Sequence, residues 1–88
     1  MGMDWLLVIG VLGAALALVA FVGNEFGWIS AESFTYDLVN LISAIGLLFY
    51  AYQTNAIPFM ITNAVWALVS GIDVGKYVMK KLARNQAL

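Results

Sequence analysis

The sequence predicts an all-α fold, an integral membrane bundle of three helices with its N-terminus outside and its C-terminus in the cytoplasm, and three observations carry that reading. Of the 88 residues, 64% are apolar and only 10% are charged, and the mean hydropathy is +0.93. Two long stretches run without a charge, the longer of which has to fold back on itself. All four cations follow the last apolar stretch. A water-soluble chain of this size buries only about 60% of its unfolded surface, so this much apolar side chain needs the bilayer as its solvent.

The first span is Trp5 to Val22, an 18-residue run without a charge, which at 1.5 Å per residue covers most of a hydrocarbon core about 30 Å thick. It reads as a span rather than a cleaved signal peptide. The short leader carries Asp4 and no Lys or Arg, and no small-x-small cleavage site precedes Gly23-Asn24-Glu25. The following loop, Gly23 to Glu32, mixes Phe26, Trp28 and Ile29 with Glu25 and two glycines, a composition that suits the headgroup layer.

From Leu38 to Ile72 there are 35 residues without a charge, too many for one crossing. Gln53-Thr54-Asn55-Ala56-Ile57-Pro58 is the polar break, and Pro58 suits the first turn of a new helix, where a missing N–H goes unnoticed. The second span is therefore placed at 34–52 and the third at 57–77, joined as an antiparallel hairpin, with a basic tail at 78–88. Ser33 is the expected N-cap of the second span, with Glu32 beside the positive end of its dipole. With no internal repeat and no linker, residues 1–88 form a single membrane domain.

Lys76, Lys80, Lys81 and Arg84 set the orientation through the positive-inside rule. Aromatic residues fall at both expected interfaces, Trp5, Tyr50 and Tyr52 at one and Trp28, Tyr36 and Tyr77 at the other.

Composition removes most chemistry. The chain has no His and no Cys, which excludes imidazole catalysis, thiol redox chemistry and the usual metal ligands, so no metal and no cofactor is expected. A net charge of −1 offers no field for a phosphate backbone, so nucleic acid is not an expected partner. No carboxylate pair shares a substrate position, and no Ser or Thr has a base partner. The chain reads as a non-enzyme.

Helix contact in lipid depends on small residues. The first span offers Gly10-x-x-x-Ala14 and Gly13-x-x-x-Ala17, the third Ala67, Gly71 and Gly75, and these faces are expected to pack, within one subunit or between subunits. Tyr36, Asn40, Ser43, Leu47 and Tyr50 form one polar-bearing stripe; Thr62, Asn63, Trp66, Ser70, Asp73 and Tyr77 form another. Such groups are costly in hydrocarbon unless paired. The stripes are expected to face each other as interhelical glue, or to line a wet cavity. In an antiparallel hairpin Asn40 should lie level with Ser70, whereas Asn63 and Trp66 would build any outer-half pocket. Asp73 is placed near the inner interface in an ion pair with Lys76.

Through Glu32-Ser33-Phe34, Leu41-Ile42-Ser43-Ala44-Ile45-Gly46, Pro58 and Val65-Trp66-Ala67-Leu68-Val69, the chain resembles a CBU-like family of small three-span bacterial membrane proteins of unknown function. That resemblance implies a multi-pass protein of the bacterial inner membrane and no activity; Asn63 stands where the family pattern has an acid. More distantly, Ser33, Tyr50, Pro58 and Asn63 resemble the bacterial SWEET-type half-transporters, which implies a dimer with Asn63 facing the substrate. The Pro-Gln hinge of that family's first span is replaced here by Leu18-Val19, and its cationic loop is missing.

Two functions are thus expected. The first is a non-enzymatic accessory or interaction subunit, assembling in the bilayer through small-residue faces with itself as a dimer or with a larger complex. The alternative is a homodimeric carrier of a small polar solute lined by Asn63, Trp66 and Asn40.

Overall fold

The computed structural model describes residues 2–87, with side chains described from 5 to 85. Met1 and Leu88, the outer limits of the domain and tail read from the sequence, lie outside the described residues. Three α-helices follow one another, α1 (Gly2–Glu25), α2 (Phe34–Gln53) and α3 (Ile57–Ala87), and no strand occurs among the described residues. All three are long and apolar enough to cross a membrane.

The α2 limits match the expected span to within one residue, with a side-chain cap at its start and a backbone turn at its end. Ser33, in extended conformation, accepts a hydrogen bond at Oγ from the Tyr36 N–H at 3.1 Å. At the other end Asn55 takes a left-handed φ of 57°. The Asn55 N–H donates to Tyr52 O at 3.3 Å and the Ala56 N–H to Ala51 O at 2.9 Å, the paired bonds of a Schellman turn. α1 stops in the same way. Gly27 has φ 79°, its N–H donates to Asn24 O at 3.1 Å, and the Trp28 N–H reaches Gly23 O at 2.7 Å.

α3 departs from expectation. Its 31 residues extend about 46 Å at 1.5 Å per residue, so the basic tail is a rigid continuation of the helix. Met79, Lys80, Lys81, Leu82, Ala83 and Arg84 are all strong helix formers, and no Gly or Pro follows Gly75 to stop them.

α2 is the central element, with α1 on one flank and α3 on the other, and no described Cα of α1 comes within 8 Å of one in α3. At the α1–α2 contact Gly13 and Gly46 approach so closely that a Cβ on Gly46 would stand 4.0 Å from the Gly13 Cα. A Cβ on Gly13 would stand 3.1 Å from Leu47 Cγ and 3.2 Å from the Ser43 carbonyl oxygen, and one on Gly10 only 2.7 Å from the Tyr50 ring. Ala20, wholly buried, continues this seam toward the opposite end, and Trp5 stacks on Phe49 with ring centroids 6.3 Å apart. Phe34 and Tyr77 meet at 4.6 Å where α2 begins.

Candidate functional site

α1 and α3 flank α2, with no described Cα of one within 8 Å of the other. Two clefts lie along α2: an outer one at the α2–α3 turn, bordered by all three helices, and an inner one between α2 and α3 near the α1–α2 loop. The outer one, near the α2–α3 turn, has a volume of about 390 Å³ and is bounded by Gly10 and Ala14 of α1, Tyr50 and Ala51 of α2, and Thr62 and Asn63 of α3. Two of its polar side chains are engaged: Asn63 Nδ2 donates to Phe59 O at 2.9 Å and the Thr62 hydroxyl to Pro58 O at 3.0 Å, so both fold back on their own helix.

The inner cleft, of about 370 Å³, is lined by Tyr36, Asp37 and Asn40 of α2 and by Trp66, Ser70 and Asp73 of α3. Asn40 is only 6% exposed and is bonded at both ends of its amide: the Trp66 indole N–H donates to its Oδ1 at 3.3 Å, while its Nδ2 donates to Tyr36 O at 2.8 Å. A buried amide held at both ends fixes the register of α2 on α3. Beyond the inner cleft Asp37, Asp73, Glu32, Lys76, Lys80 and Tyr77 surround a further charged depression, with Asp73 and Lys76 on the same face of α3.

The residues singled out from the sequence are therefore distributed over two places. Asn40 lies level with Trp66 and Ser70, whereas Asn63 belongs to the outer cleft and Trp66 to the inner one. The two polar stripes also part company. Ser43 turns away from α3 and donates its hydroxyl to Gly13 O of α1 at 2.7 Å, and Tyr50 covers Gly10. Among the small residues Gly10 and Gly13 are buried, Ala17, Ala67 and Gly71 are half-buried, and Ala14 and Gly75 are exposed. Gly71 touches α2, where a Cβ would stand 3.7 Å from Leu41.

Tyr36 and Asp37 were not assigned to a site by sequence reasoning. Their spacing from Asn40, four and three residues, places all three on adjoining positions of one helical face, and that was the available signal. No group of three or more potential metal-binding side chains gathers among the described residues.

A protein-family model matches residues 6–81, a stretch that takes in most of α1, all of α2 and most of α3. No curated protein and no solved structure matches the chain.

Proposed function

The chain belongs to an uncharacterised family named after a Coxiella gene, and for this member we propose a non-enzymatic membrane subunit that acts by receiving a helix of another membrane protein. One observation supports the reading above the others. The outer cleft is a largely apolar groove in which Ala14 and Ala51 stand among the larger side chains of Leu7, Val11, Leu47, Tyr50 and Phe59, leaving a notch where a foreign backbone can approach. The Thr62 hydroxyl and the Asn63 amide nitrogen are bonded within their own helix, so a partner is met chiefly by shape.

Gentle extraction of the protein from its own membrane, with a quantitative count of what accompanies it, tests this. A foreign membrane protein at fixed ratio is expected, and it should be lost on Ala14→Trp, which fills the cleft from an exposed position. Recovery of the wild-type protein without any such companion would set the reading aside.

A second reading, a homodimeric carrier of a small polar solute in the bacterial inner membrane, is favoured by the inner cleft. There an indole and two carboxylates, Asp37 and Asp73, border one cavity, a lining that suits a small solute with cationic character. In this form of the reading Trp66 and Asn40 line the path and Asn63 does not. Uptake of tetramethylammonium into proteoliposomes, abolished by Asp37→Asn with Asp73→Asn, is the result that would raise it above the first; no uptake by the wild type would remove it.

A further inference from the structure

We propose that the outer face of α3 is a seam for a second copy of this chain, running parallel to it through the membrane and beyond. This does not rest on the subunit reading above, since the outer cleft and this seam are different surfaces of the molecule.

Along α3, apolar residues recur at alternating steps of four and three from Ile61 to Leu82. With Val65, Ile72 and Met79 at the a positions of a heptad, the d positions are Ile61, Leu68, Gly75 and Leu82. β-branched residues at a with leucine at d favour two parallel strands. α3 meets α2 through different residues, the half-buried Met60, Asn63, Ala67 and Val74 and the buried Ser70, so the seam is free within the subunit. Only Val65 also borders the inner cleft.

A lipid-facing helix is apolar as well, and three observations separate the two cases. The first is length. Counting about 30 Å of hydrocarbon from Ile57 brings the helix to about Tyr77, yet the seam continues through Met79 and Leu82, which are 71% and 55% exposed. Acyl chains do not reach there. The second is Gly75. Glycine in a helix interior costs about 1 kcal/mol relative to alanine, and within the chain nothing lies within 4 Å of where its Cβ would be. Gly10, Gly13 and Gly23 each have a neighbour in their own chain that a Cβ would crowd; Gly75 has none, and a second backbone crossing at this d position supplies the missing reason.

The third is area and charge. The six large seam residues are 48 to 71% exposed, so each copy offers a partner a continuous strip of apolar side chains that its own subunit leaves uncovered. Lys80, Lys81 and Arg84 fall at positions b, c and f, pointing away from the partner, and Lys76 at e stands opposite Gly71 at g. Two parallel copies therefore meet without opposing like charges.

The chain has no cysteine, so single cysteines report without background. In the full chain reconstituted at low density in phosphatidylcholine–phosphatidylglycerol vesicles, mild oxidation should link Leu68→Cys and Leu82→Cys into dimers at least fivefold more than Lys80→Cys or Arg84→Cys. Gly75→Leu should lower the dimer fraction at least tenfold while leaving the helical circular dichroism unchanged, because its side chain enters open space within the subunit. Cross-linking without this periodicity, a monomer throughout, or a dimer indifferent to Gly75→Leu would each overturn the proposal.

Discussion

The indole N–H of Trp66 and the amide oxygen of Asn40 meet at 3.3 Å across the α2–α3 contact, and they are the two halves of the one hydrogen bond between side chains of different helices found among the described residues. Removing the donor while keeping an aromatic ring tests its worth together with a small loss of packing. Trp66→Phe is expected to lower the unfolding free energy in detergent by about 0.6 to 1.7 kcal/mol, from the average to the maximum found for hydrogen bonds between membrane helices. Asn40→Leu should cost more than Trp66→Phe, because it also removes the tie to Tyr36 O and leaves the indole N–H without a partner. An equal loss for the two would show that the tie to Tyr36 contributes nothing.

Glycines separated by their surroundings should separate in stability. Gly10→Ala places a Cβ 2.7 Å from the Tyr50 ring and Gly13→Ala one 3.2 Å from a backbone oxygen; each is expected to destabilise the fold by about 1–3 kcal/mol, Gly13 more stubbornly since a backbone atom cannot swing aside. In the isolated subunit Gly75→Ala meets nothing and should stabilise it by about 0.4–1 kcal/mol through the unfolded chain. Reversible unfolding in mild detergent, at protein concentrations low enough to keep the subunit single, gives all three values.

The buried Ser43 hydroxyl on Gly13 O is the polar tie between α1 and α2. Ser43→Ala should cost about 0.6 kcal/mol, little enough that the helix contact persists, and Ser43→Val should cost several times more because its second methyl group meets the close crossing. Comparable losses for both would mean that the hydroxyl, and not the tightness of the crossing, governs this interface.

The turn between α2 and α3 makes a prediction of its own. Asn55 occupies the left-handed region, which a β-branched side chain resists, so Asn55→Val should destabilise by about 1–2 kcal/mol whereas Asn55→Gly should be close to neutral. Ser33→Ala, by removing the cap of α2, is expected to cost about 0.5–2 kcal/mol. Helix content followed by circular dichroism against temperature distinguishes these from wild type.

The three helices were legible because charge and polarity punctuate this chain at few places, and Ser33 with Pro58 marked where two of the helices begin. The continuation of α3 was less so. Positive charge after Tyr77 drew attention as a tail, although the residues carrying it are as good at forming helix as those before. The arrangement of the helices could not be read from periodicity, because α2 is small or apolar on several sides, and Ser43 three residues from Asn40 sits on a neighbouring face yet serves a different partner. The inner cleft follows from that arrangement. Asp37, near the start of a helix, has the sequence signature of a dipole-stabilising charge, and only the packing of α3 reveals that it borders a cavity with Trp66 and Asp73.

Among the described residues, every close backbone approach between helices joins neighbours in the chain, since α2 lies beside both of the others and no Cα of α1 comes within 8 Å of one in α3. During synthesis, no segment has to wait for a distant one. α1 finds its main partner surface as soon as α2 has formed, and α3, tethered by a turn of three residues, Thr54 to Ala56, closes on α2 as it emerges. Such an order of assembly keeps loop-closure entropy small and leaves few wrong pairings to undo, so biogenesis can proceed in the direction of translation, one neighbour at a time.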